Sequence, residues 1–274
     1  MKYRVNPFLS WALSSAFLLA VISGILLAYP FHEKAPFVST VGIDTVVPYG
    51  WFLRRLHYFS SWATLILLLW HAGEALWARA EERRRPLPWL ALSLSLPLIF
   101  LAAFTGYVIR WDETGKLAGF IAESLSLKLP VIGPYLNALL FTVREGGIHR
   151  PYLFHFWASL VLLGLYGIWH FRARRWPAEP FLLVFAVCGA LALFLPVGLH
   201  APGPHLLVKG PWFFVGVQEA LRHAPPFLAG ILLPSLGPTF YFLVRVPSLR
   251  RLSLFGLILW SAGYGMLTLW GLLR

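Results

Sequence analysis

Long apolar runs alternate along the chain with two kinds of connection, short basic ones and long ones rich in proline and glycine. Seven runs stand out, at about residues 8–29, 51–78, 89–109, 151–171, 181–199, 226–244 and 252–273. At about 1.5 Å of rise per residue, helices of these lengths match a hydrocarbon core roughly 30 Å thick. The pattern predicts an all-α integral membrane protein with about seven transmembrane helices. The first run ends in the bulky Tyr29-Pro30-Phe31 with no small-residue cleavage site, so it is expected to be a retained helix and not a signal peptide. Residues 112–149 are moderately apolar but broken by Gly115, Gly119, Pro130, Gly133 and Pro134, and are expected to form short helices at the surface. Residues 200–225 read as a second Pro/Gly-rich connection.

Charge adds a direction. Lysine and arginine crowd the N-terminus and residues 79–85, 172–175 and 245–251, which places those loops and the N-terminus on the cytoplasmic side of the cell (inner) membrane. The net charge of +12 is then a topology signal and not a nucleic-acid footprint, so lipid and not nucleic acid is the expected partner of this surface. With 58% hydrophobic and 12% charged residues, a soluble domain is excluded.

Four of the nine histidines lie inside apolar runs: His57 and His71, fourteen residues apart, and His155 and His170, fifteen apart. On a helix that separation is about four turns, roughly 21 Å, so both histidines of a pair share a face and sit near opposite membrane surfaces. Ionisable groups inside a membrane are costly and usually functional. Two spans running in the same direction pair His57 with His155 near the outer side and His71 with His170 near the inner side. Imidazoles so placed suit two stacked bis-histidine haems. Cys188 is the single cysteine and there is no Cys-x-x-Cys-His attachment sequence, so both haems are expected to be non-covalent haem b, with iron held by those four residues.

In this order and spacing, a set of motifs resembles the cytochrome b subunit of cytochrome bc and bf quinol oxidoreductase complexes. They are Ser23-Gly24 to Tyr29, Gly50-Trp51-Phe52-Leu53-Arg54-Arg55-Leu56-His57, Gly106-Tyr107-Val108 with Trp111-Asp112, Leu129-Pro130-Val131-Ile132-Gly133, and Arg150 five residues before His155. The fifteen-residue spacing and seven spans resemble the plastid-type branch, with its cytochrome b and its subunit IV joined in one chain. This implies a di-haem four-helix domain over residues 1–176 and a three-helix subunit IV-like domain over 177–274. It also implies that Arg54 and Arg150 meet propionates of the outer haem, with the planar guanidinium fork suited to a carboxylate. Gly24 and Gly106 would let the backbone approach the macrocycle, and Tyr107, Trp111 and Trp212 would line a quinol pocket.

Departures accompany the resemblance. The family's Pro-Glu-Trp-Tyr aligns with Gly210-Pro211-Trp212-Phe213, so its proton-accepting glutamate is a proline, and Glu219 and Glu123 become the candidates for that catalytic role. Arg110 stands where the family has proline. Ser10 and Leu92 fall where a second glycine is expected on the first and third helices, and no cysteine near the N-terminus matches the one that carries an extra haem in the plastid-type protein.

The resemblance implies an enzyme subunit that moves electrons between a quinone pool and Rieske or c-type partners on the outer side, in a homodimer or larger complex. Two rival readings are a one-way haem b anchor of another oxidoreductase, which the missing glutamate favours, and a haem-free transporter using its histidines as proton relays.

Overall fold

The computed structural model describes residues 5–166, 176–201 and 209–274, and among these every regular element is helical. Contacts divide the chain into two compact units, Met1–Pro88 with Phe156–Leu199, and Trp89–His155 with His200–Arg274.

In the first unit α1 (Pro7–Ala28) packs along α3 (Gly50–Trp77), with α10 (Ala178–Phe194) against both. Their shared core is Ala12, Ala16, Leu19, Leu56, Val184, Cys188 and Ala192. Lipid is as apolar as leucine, so helices inside a membrane gain most by close approach, and small residues at the seam permit it. Cys188 is one of those small residues. The Asn6 side chain caps α1 by accepting from the Phe8 N–H at 2.9 Å, and Pro7 takes the first turn, where its missing N–H costs nothing. The proline-bearing connection after α1 also holds a helix, α2 (Pro36–Thr45), started by Pro36 in the same way. A short helical turn, α4 (Ala80–Arg83), follows α3 in the basic loop.

The second unit holds α5 (Pro86–Ile109), then short helices α6 (Glu113–Ser126), α7 (Gly133–Leu140) and α8 (Val143–Gly146), as the broken pattern of 112–149 led one to expect. Helix α9 (His149–Tyr166) starts in this unit and runs into the first; the predicted continuation to residue 171 lies outside the described residues. Residues 200–225 are not simply a connection. They contain α11 (Trp212–His223), which starts directly after Pro211 and buries Val215, Gly216, Glu219 and Ala220. The glycine and proline content of this stretch sits ahead of the helix and masked its period. A π-helical turn, Leu228–Leu232, leads into α12 (Leu233–Leu243), and α13 (Arg250–Leu273) packs on both α11 and α12.

By length and composition α1, α5 and α13 are able to cross a membrane, while α10 and the Leu228–Leu243 stretch are apolar but shorter. Most of α13 keeps its apolar side chains exposed, including Leu252, Phe255, Ile258, Leu259, Met266 and Trp270. Such a face is stable only in lipid or against a partner. The chain is a multi-pass membrane protein.

Candidate haem and quinone site

His57 lies about two turns into α3, opposite α1. Its Nδ1 donates to the Ala20 carbonyl at 2.8 Å, and the Ser23 hydroxyl stands 3.3 Å from the same nitrogen. Gly24 makes the approach possible: a Cβ there would lie 3.0 Å from His57 Cε1 and 3.3 Å from Nδ1. The second unit repeats the device on different helices. His155 Nδ1 donates to the Ala102 carbonyl at 2.7 Å, and a Cβ on Gly106 would lie 2.7 Å from Cε1 and 3.0 Å from Nδ1. In both, the accepting carbonyl is four residues before the glycine, and a buried hydroxyl, Ser23 or Thr105, precedes the glycine. What stands against each glycine is therefore the histidine ring itself.

A ring whose Nδ1 donates to a backbone carbonyl is fixed in orientation and tautomer and keeps Nε2 for iron, and that hydrogen bond raises its strength as a ligand. These two residues fit a haem. His71, at the far end of α3, is held differently: its Nδ1 lies 3.5 Å from Ser10 Oγ, the position where a glycine was expected. Nearby, Glu74 ties α1 to α3 by accepting from the Asn6 N–H at 3.2 Å. His170 lies outside the described residues.

Arg54 is buried, and its fork is engaged by Asp44 on α2, Nε donating to Oδ1 at 2.6 Å and Nη2 to Oδ2, while Nη2 also donates to the Val197 carbonyl at 2.6 Å. A propionate would compete with Asp44 for it. Arg150 is exposed in the first turn of α9. On α5, Trp89 and Ser93 are buried one turn apart, and neither Trp89 Nε1 nor Ser93 Oγ has a hydrogen-bond partner among the described residues. Sequence reasoning passed over both, because a tryptophan at the start of a span reads as an interfacial anchor; only burial sets it apart.

The expected quinol-pocket residues cluster within the second unit. Phe104, Val108, Ala118, Ala122, Phe141 and Val143 form a core against which Tyr107, Trp111, Phe213 and Phe214 pack. Phe214 meets Phe104 at 4.9 Å between ring centroids, and Trp212 meets Phe213 edge-on at 5.7 Å. The Tyr107 hydroxyl donates to the Lys209 carbonyl at 3.3 Å, and Arg110 stacks over the Tyr107 ring at 4.3 Å. Arg110 is thus placed by the tyrosine face and by Asp112, to both of whose oxygens it donates, at 3.1 and 2.9 Å.

The two candidate proton acceptors carry structural roles. Buried Glu123 accepts from the Arg144 backbone N–H at 3.1 Å and Nη1 at 3.3 Å, with Asn137 Nδ2 at 3.5 Å, and so joins α6 to α7 and α8. Buried Glu219 meets His223 at 3.0 Å, Arg274 at 3.4 Å and Arg222 at 3.5 Å. The hydrogen bond from His223 outweighs burial and, with the two arginines, holds its carboxyl below the usual carboxylate range.

The family model for cytochrome b/b6/petB matches residues 7–175. The chain belongs to that family. Among curated relatives it is 28% identical over 270 residues to cytochrome b of Chlamydomonas reinhardtii, covering 83% of this chain and 69% of that one. It is 30% identical over 134 residues to cytochrome b6 of Heliomicrobium gestii, covering 48% of this chain and 61% of that one. Among solved structures it is similar to a chain of a hyperthermophilic respiratory Complex III, with a TM-score of 0.70 at 19% identity over 96% of this chain and 83% of that chain. At that identity the likeness speaks for the fold. Family membership makes haem the group that the His57 and His155 cradles suit.

Proposed function

We propose that this chain is the di-haem b subunit of a bc-type quinol oxidoreductase complex, carrying electrons between a quinone pool and a redox partner on the outer face. The observation that carries the reading is the pair of matched cradles at His57 and His155, each presenting Nε2 from a ring anchored at Nδ1. In this reading His57 would share one haem with His155, and His71 would share the other with His170. The haems, when bound, supply one-electron carriers within the hydrocarbon. The protein's share is to orient the imidazoles and to offer Arg54 and Arg150 to the outer propionates. Quinol would sit among Tyr107, Trp111, Trp212 and Phe213, whose aromatic walls suit a flat apolar ring. Rieske or c-type partners would dock on the outer side, in a homodimer or larger assembly, with the N-terminus in the cytoplasm of the cell in whose inner membrane it lies.

Haem content per chain and an oxidised-minus-reduced spectrum, taken before and after adding a quinol, test the proposal. Two b haems reduced by quinol are expected. Two haems indifferent to quinol would favour a second reading, a one-way anchor of another oxidoreductase, for which Pro211 at the family's glutamate position is the specific observation. A purified protein without haem would sink both.

A further inference from the structure

The second unit also holds a groove of about 650 Å³ that neither haem nor quinol takes up in the reading above. It runs along α13 from Gly256 to Trp270, with Leu233, Leu236 and Phe240 of α12 on the facing side and Glu219 and His223 of α11 at one end. That length of helix rises roughly 21 Å, more than one leaflet, which is half of a core roughly 30 Å thick.

The wall of the groove is rigid and apolar. Trp260 and Tyr264 stack with ring centroids 5.2 Å apart and planes 18° from parallel. Each spends its polar atom on a neighbouring backbone. Trp260 Nε1 donates to the Leu233 carbonyl at 2.7 Å, and the Tyr264 hydroxyl donates to the Phe213 carbonyl at 2.6 Å. Gly237 lets the indole lie on α12, since a Cβ there would stand 2.6 Å from the ring. Gly263 differs: a Cβ on it would meet nothing within 4 Å, so the middle of the groove has room for more than a methyl group. With both aromatic donors already satisfied, an occupant of this stretch needs no hydrogen-bonding group, and one that carried such a group would lose its water without a partner.

The charged groups gather at one end. Where α11 and α13 both finish, Arg222, His223 and Arg274 converge on the buried carboxylate of Glu219, at 3.5, 3.0 and 3.4 Å. Lys209 joins the same end of α13, its Nζ donating to the Leu272 carbonyl at 2.7 Å. Helix C-termini favour cations, which accounts for the gathering. One carboxylate balances only one of the three full positive charges of Lys209, Arg222 and Arg274. Each arginine reaches Glu219 through Nη1 alone, and the two side chains are 42% and 55% exposed. Guanidinium forks so placed suit a phosphate. Glu219 is the one group there that repels an anion, and it is buried where the cations are exposed.

We propose that this groove binds one acyl chain of an anionic phospholipid, with the phosphate on Arg222, Arg274 and His223 and the chain laid along Tyr264 and Trp260 toward Phe240. The division of the site selects that occupant. A hydrocarbon chain fits an apolar track longer than a leaflet, and a net negative headgroup answers the uncompensated charge at its end. A zwitterionic lipid would bring a second cation to the cluster, and a neutral isoprenoid would leave the arginines unanswered.

The test takes the full haem-loaded protein in detergent micelles doped with equal amounts of phosphatidylglycerol and phosphatidylcholine, and counts the lipids held per chain by native mass spectrometry. Wild type should favour phosphatidylglycerol by at least about fivefold, the ratio equivalent to about 1 kcal/mol for a basic side chain near a membrane surface. Gly263→Leu puts a side chain in the middle of the track and should hold one lipid fewer at the same haem content. Replacing both arginines, Arg222→Gln with Arg274→Gln, should keep the lipid and bring the ratio of the two headgroups to about one. This pair changes only partly exposed side chains at the end of the groove, so it reads the headgroup site even if Gly263→Leu folds poorly. Equal retention of the two lipids by wild type would overturn the proposal, as would a preference unchanged in the arginine pair or a folded Gly263→Leu with the wild-type lipid count. A neutral quinone held in place of the phospholipid would overturn it as well, and would give the groove to a quinone tail.

Discussion

The two histidines of α3 face the same neighbour, α1, and are held in contrasting ways. His57 presses its ring against Gly24 and fastens Nδ1 to a backbone carbonyl at 2.8 Å, whereas His71 meets a serine hydroxyl at 3.5 Å and, among the described residues, no glycine. A carbonyl in a helix wall cannot move, while a serine side chain rotates, so the contact that α1 offers His57 is rigid and the one that it offers His71 is not. His155 shows that the outer arrangement is a device and not an accident of one helix pair. In the other unit the same glycine-and-carbonyl spacing recurs, with an even closer approach. Rigid orientation is placed where the proposed function has electrons enter.

The comparison breaks most visibly at the ligands. His57→Leu or His155→Leu should remove about half of the bound haem, leaving one bis-histidine centre, and His71→Leu should remove the other half; pyridine haemochrome content against protein measures both. If His57→Leu kept its full haem content, the outer cradle would not be a haem site. Next comes Gly106→Val. Its Cβ would stand 2.7 Å from the His155 ring, displacing ring or helix at about 1–3 kcal/mol of overpacking, and the outer haem should be lost or broadened while the inner is retained. Gly24→Ala, with its nearest approach at 3.0 Å, should do the same more weakly.

Acid should separate the two cradles. In the second unit the helix that carries Gly106 runs into the loop pinned by Asp112, whose carboxyl pKa is held below its unfolded value. A depressed pKa contributes stability that is complete above the unfolded pKa, about 3.9, and is lost as pH falls through the lower native one. Below pH about 4 the rim at α6 should loosen before the first unit does, seen as earlier amide exchange in residues 112–118 than in residues 16–24. Simultaneous loss would count against the difference. The smallest effect belongs to Ser10→Ala. A 3.5 Å contact contributes little, so thermal stability should change by under about 0.5 kcal/mol, with any shift confined to the inner haem's potential.

Much of this was legible along the chain. Span positions follow from runs of apolar residues, because in lipid every backbone group must bond within its own helix and hydropathy alone then marks the helix. The histidine spacings and both glycines were readable for the same reason: each is a position along a helix. Helices α2 and α11 were not, since the prolines that begin them look like the prolines of a loop.

Tertiary structure decided the partners. No residue type announces that Ala20 and Ala102 will offer the carbonyls, because every residue has one, and only the absence of a side chain four positions on makes those two reachable. Asp44 claiming Arg54, Arg144 claiming Glu123, and His200 arriving at Asp112 across 88 residues are choices among many compatible charges. A sequence determines which groups can pair and how far along a helix they stand. Which of them meet is set by packing, because a buried charge settles on whatever the assembled helices bring within reach.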